Sequence, residues 1–104
     1  MTDAVFNALK RARELISDRS KWTQGVMARD ADGNPVLPED SSATCWCATG
    51  ALRAVAPTRE VCIAARARLA EDPAAVNDRI GYTATLKMFD EAIAAEAVAQ
   101  AGAA

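Results

Sequence analysis

Histidine is missing from the 104 residues. Its absence removes Ser-His-Asp and Cys-His catalysis and the commonest metal ligand, so any general base would have to be a carboxylate, lysine, cysteine or tyrosine. Glycine is sparse and scattered, at 25, 33, 50, 81 and 102, with no P-loop and no G-x-G-x-x-G. Nucleotide binding by those routes therefore finds no support. No apolar run approaches the roughly 18 residues of a membrane span, and no basic segment followed by an apolar stretch opens the chain as a signal peptide would. Cysteine is limited to Cys45, Cys47 and Cys62. An odd number without a signal peptide points to free thiols in a reducing cytoplasm.

An excess of charge of either sign is also lacking. The net charge is −2, too small for a global field that would gather nucleic acid. Residues 1–21 carry five Lys/Arg against three Asp/Glu, and the remainder seven against eleven. A faintly basic first helix ahead of an acidic remainder follows, with solvated helix faces as the simplest use.

What the chain has in quantity is alanine, 25 residues of it. Alanine buries little area, so the 51% hydrophobic content overstates the core. The length fits a single domain, 1–104, with a modest core in which small side chains let helices approach closely. The alanine-rich end, about 100–104, reads as a frayed tail.

Helical spacing of Val5, Phe6, Leu9, Ala12, Leu15 and Ile16 predicts a first helix over 3–18, capped by Thr2 or Asp3. Residues 20–40 lose that period. Thr23–Arg29 and Asn34–Leu37 read as two short strands around an Asp32-Gly33 turn, with Pro35 marking the return strand as an edge. Asp40, Ser41 or Ser42 would cap a second helix over 43–56. Gly50 inside it costs about 1 kcal/mol against alanine, which a close helix contact would justify. A third helix is expected over 59–71, ended by Asp72-Pro73, then a loop or short turn at 77–82, then a last helix over 84–99 begun by Thr83. The expected class is mainly α: a compact four-helix domain with a short β-hairpin or ordered loop after helix 1.

Few groups carry chemistry. Cys45 and Cys47 form a C-x-C pair, which on a helix would point roughly 200° apart and could not share a zinc. Buried structural thiols are the favoured reading. A reactive Cys45 near a helix N-terminus is the lesser one. Asp30, Asp32, Asn34, Glu39 and Asp40 are rich in oxygen but miss the calcium-loop spacing, which leaves a turn with solvated carboxylates. Trp22 and Trp46 read as core or as lids over it, unless exposure marks a binding surface. Asn77-Asp78 reads as a turn or local cap, with a polar contact to a ligand or partner as the alternative. Arg53, Arg59, Arg66 and Arg68 form either a solvated edge on helices two and three or a contact for an acidic partner or phosphate.

Several of these stretches together resemble a family of small bacterial and phage domains of unknown function. They are Arg13-Glu14-Leu15-Ile16, Trp22-Thr23-Gln24-Gly25, Ala28-Arg29-Asp30-Ala31-Asp32-Gly33 with Val36, Trp46-Cys47 with Gly50-Ala51-Leu52, Asn77-Asp78, and Phe89-Asp90 with Ala92-Ile93. The resemblance implies a compact helical fold with a hairpin, and no activity, substrate or cofactor. A site common to such domains would draw on Trp22, Asp30, Trp46, Cys47, Asn77 and Asp78. The link between helices two and three is abbreviated against the family pattern, which weighs against a pocket there.

The leading functional expectation is a non-enzymatic domain that binds another protein or a second copy of itself, for instance a phage-type inhibitor of a host defence complex. The alternative is a small-molecule binder or minor enzyme built on the Cys/Asn/Asp constellation near the tryptophans. No catalytic residue, metal ligand or cofactor is assigned, and neither nucleic acid nor membrane is an expected partner.

Overall fold

The computed structural model describes residues 4–102. In chain order it has α1 (Ala4–Leu15), a 3-10 turn (Arg19–Lys21), β1 (Ala28–Asp30), β2 (Ala43–Trp46), α2 (Ala48–Val55), α3 (Arg59–Ala67), α4 (Pro73–Ala75), a π-helical turn (Val76–Ile80) and α5 (Tyr82–Gly102). The fold is thus mainly helical with one two-stranded antiparallel hairpin. Among the described residues five α-helices replace the expected four, because Pro73 opens a short extra helix. Asp72 caps it by accepting the Ala74 N–H at 3.1 Å, and proline is favoured at a first helical position.

The core forms where the helices cross α1. Ala8, Leu9, Ala12 and Ile16 lie on one face of α1 and its exit, and all are buried. Leu52 from α2, Ala65 from α3 and Phe89 from α5 close over them. Alanine at three of these contacts keeps the helices close, as the composition predicted. The radius of gyration, 13.2 Å, is that of a compact chain of this length. The expected caps Thr2 and Asp3 lie outside the described residues. α1 ends at Leu15 rather than 18, where the Tyr82 hydroxyl donates to the Ile16 and Ser17 carbonyls at 2.8 and 2.6 Å.

The hairpin departs most from expectation. The Asp32-Gly33 turn forms, and Arg29 bridges Pro35 as an isolated contact. The regular partner of β1, however, is β2, paired Ala28 with Trp46 and Arg29 with Cys45. Residues 43–46 were expected to start a helix. Thr44, Cys45 and Trp46 suit a strand better, and pairing with β1 satisfies their backbone. Asp40 and Ser42 do not cap a helix either. The Asp40 carboxylate accepts the Ser42 N–H and hydroxyl at 2.8 and 2.7 Å, closing a turn into β2, and these bonds hold its carboxyl below the usual range.

α2 therefore begins at Ala48, with the Cys47 sulfur accepting the Gly50 N–H at 3.3 Å. Gly50 is needed for a close approach, though not of a helix. A Cβ there would overlap the Met27 carbonyl, which also accepts the Cys47 N–H at 3.0 Å. α3 ends at Ala67, four residues short of expectation. The loop or short turn expected at 77–82 is a π-helical turn over Val76–Ile80. It is closed by the Gly81 N–H donating to the Val76 carbonyl at 3.0 Å. Gly81 leaves it at φ +122°, ψ −168°, a conformation essentially reserved for glycine. α5 starts at Tyr82 and is continuous to Gly102, so residues 100–102 of the expected frayed tail are helical. Alanine has the highest helix propensity, and Ala103 and Ala104 lie outside the described residues.

Candidate functional site

Asn77 is the fully buried polar centre of the molecule. The π-turn places it between the 22–25 loop and the start of α2. Its Oδ1 accepts the Trp22 indole N–H at 2.6 Å and the Ala48 backbone N–H at 3.0 Å. Its Nδ2 donates to the Thr23 carbonyl at 3.0 Å and to Asp78 Oδ1 at 2.9 Å. An amide side chain has two donor hydrogens and two acceptor sites of this kind, and all are used. Asp78 Oδ1 also accepts the Gly25 N–H at 3.1 Å, and Gln24 Nε2 donates to the Asn77 carbonyl at 2.8 Å. Trp22 then packs its ring 5.2 Å from Tyr82. The Arg19 guanidinium lies over both rings, at 5.8 and 5.4 Å.

Of the six residues singled out from the sequence, the fold gathers four. Trp22, Asn77 and Asp78 bond to one another, and Cys47 adjoins them through Ala48. Trp46 joins only by its backbone: its carbonyl accepts the Thr23 N–H at 3.1 Å, while its indole donates to the Pro38 carbonyl at 3.0 Å. Asp30 stands apart and closes its own turn, accepting the Asp32 and Asn34 N–H groups at 2.9 Å each. Thr23, Gln24, Gly25 and Arg29 were not singled out. Arg29 ties the hairpin turn to this loop through Thr23 Oγ1 at 2.9 Å and the Gly33 and Gln24 carbonyls at 3.1 Å each. The sequence signals for them are the Trp22-Thr23-Gln24-Gly25 stretch and, for Arg29, the Ala28–Gly33 stretch.

The three cysteines are unpaired. Cys45 lies on β2, so the C-x-C pair is not helical, and the thiol at a helix start is Cys47. Burial pushes the Cys47 thiol up, and this outweighs the Gly50 and Thr49 N–H groups that would lower it. The folded chain thus favours the protonated thiol. Its contribution to stability is complete below the ordinary thiol pKa of about 8.5 and is lost as pH rises toward the higher folded value. In alkylation by iodoacetamide near neutral pH, Cys47 is expected to label only after denaturant is added. Native labelling of Cys47 at the rate of an exposed thiol would contradict this. Among the described residues, no group of three His, Cys, Asp or Glu side chains could hold a metal ion.

A second feature was expected to be missing. An open groove of about 670 Å³ lies between α2 and α3. The abbreviated link weighed against a pocket there. Instead, Ala56-Pro57-Thr58 turns the chain sharply and lines one end of the groove. Arg53, Arg59 and Arg66 rim it, with Glu39, Cys62 and Ile63 beside them. Arg68, grouped with these arginines from the sequence, is turned away to Glu96 at 3.0 Å.

A model of a family of unknown function (DUF6197) matches residues 1–95. The chain belongs to that family. No curated protein and no solved structure matches it. Three of the six stretches that carry the resemblance meet around Asn77. Trp22-Thr23-Gln24-Gly25 and Asn77-Asp78 bond directly, while Cys47 and Gly50 shape the helix start beneath them. In this family member those stretches hold the hairpin, α2 and the π-turn together.

Proposed function

We propose that this domain is non-enzymatic and acts by binding another protein through the α2–α3 groove. The observation that carries the reading is the open 670 Å³ groove, where Ile63, 57% exposed, stands among three arginines. Arginine and apolar anchors are enriched where interfaces gain their energy. In the constellation that would favour a small-molecule binder or enzyme, the Asn77 amide is spent on internal hydrogen bonds, and burial of Cys47 favours its protonated thiol. Among the described residues no helix is long and apolar enough to cross a membrane. Three unpaired thiols suit the cytoplasm as the place of action. A phage-type inhibitor of a host defence complex is the most specific form of this reading.

The test uses the full chain as bait in its native host, beside an Ile63→Glu variant. The expected result is a captured protein, identified and re-bound after purification, that the variant fails to hold. Its membership of a defence complex would decide the specific form. A monomer in solution that captures nothing dependent on Ile63 would overturn the reading.

A further inference from the structure

We propose that the α2–α3 groove recognises the carboxylates of an acidic segment in the partner protein, and that Glu39 occupies part of the site in the unbound chain as a built-in competitor. This rests on the protein-binding reading above and adds the partner's chemistry. Three observations converge on it.

The first is unspent donor capacity. A guanidinium carries five N–H groups. Among the described residues Arg59 has no ion-pair partner, and Arg66 reaches Asp72 only at 3.8 Å with both side chains more than half exposed. Thr49, which also lines the groove, has a buried hydroxyl with no hydrogen-bond partner. In a chain of net charge −2, three arginines around one carboxylate form a local field of the opposite sign.

The second is that the groove already holds a carboxylate. Arg53 Nη2 donates to Glu39 Oε2 at 3.0 Å and lies 3.4 Å from Oε1. Glu39 comes from the loop before β2 and its side chain is half exposed. A partner's carboxylate can take its place without unfolding any element, because Glu39 lies in no helix or strand.

The third is spacing. Arg59 and Arg66 are seven residues apart on α3, about 10 Å along the axis. A segment carrying several carboxylates can offer each guanidinium its own partner, since alternate residues of an extended chain stand about 7 Å apart. Exposed Ile63 lies between them in sequence and offers an apolar contact that a mineral anion would leave unused.

The experiment titrates the full chain against a fluorescently labelled peptide of Glu and Asp residues with one central Leu, read by anisotropy. Binding is expected, weakening as salt rises. The double variant Arg59→Glu, Arg66→Glu should weaken it about tenfold or more. Glu39→Gln should tighten it about threefold by releasing Arg53. These opposite directions separate the proposal from damage to the fold, and circular dichroism checks each variant. The proposal is overturned if the peptide does not bind, if its affinity ignores both substitutions, or if labelled single-stranded DNA of equal charge binds as tightly. A concentration-dependent dimer that the peptide cannot dissociate also overturns it, because a second copy would then fill the groove. A host partner that still requires Ile63 while the peptide fails removes the charge assignment and leaves the protein-binding reading standing.

Discussion

Asn77→Ala is expected to destabilise the domain by about 3–5 kcal/mol, since each buried group left without a partner costs about 1–3 kcal/mol. The Trp22 indole N–H, the Ala48 N–H and the Thr23 carbonyl would all lose their partner. Small domains hold only about 5–15 kcal/mol in total, so the loss is a large share. Urea unfolding followed by tryptophan fluorescence measures it. Asn77→Asp is the sharper variant. It keeps the shape and the acceptor for Trp22 and Ala48, loses the two amide donors, and sets a second carboxylate against Asp78. Burial and that neighbour would raise the introduced group's folded pKa above its unfolded value of about 3.9. Stability is then best below that value and falls as pH rises through the folded pKa. The penalty against wild type should be larger at neutral pH than in mild acid. A loss below about 1 kcal/mol for Asn77→Ala, the size of one ordinary hydrogen bond, would show that the bonds around Asn77 do not hold the fold.

Gly50→Ala is expected to cost about 3 kcal/mol, the upper end for overpacking. Alanine normally stabilises a helix relative to glycine by about 1 kcal/mol, so the sign itself is diagnostic. The added methyl would overlap the Met27 carbonyl. That carbonyl is backbone, leads into β1 and accepts the Cys47 N–H, so moving it opens the hairpin as well as the helix start. Gly102→Ala is the control. A Cβ there meets nothing within 4 Å, and the substitution should be neutral or slightly stabilising. If Gly50→Ala raises the unfolding midpoint as the control does, strand and helix do not lie as close as described.

The two variants probe parts of the molecule that differ in how far the sequence exposed them. Asn77-Asp78 is legible as a polar turn or cap, and the resemblance groups it with Trp22 among six candidate site residues without pairing them. That the amide would be wholly buried and four times bonded depends on three segments spaced more than fifty residues from the first to the last. Gly50 within a helix implies a close neighbour, and that neighbour is the Met27 carbonyl rather than the helix expected. A glycine in a helix reports that something approaches and not what. The arginines of the groove were legible as a basic edge. Glu39, Thr49 and Ile63 were not, because no periodicity links a loop carboxylate to residues on two later helices.

The amino-acid order by itself determined the helices α1, α3 and α5, the alanine-lined contacts between them, the Asp32-Gly33 turn, and the lack of histidine chemistry. These follow from spacing, propensity and composition within a few neighbouring residues. The tertiary structure alone decided that 43–46 pairs as a strand, that 76–80 winds as a π-turn, and that α2 and α3 part to leave an arginine-rimmed groove. Each depends on where distant backbone groups find hydrogen-bond partners. That is settled only when the whole chain packs, since a buried N–H or carbonyl takes whichever partner the fold brings to it.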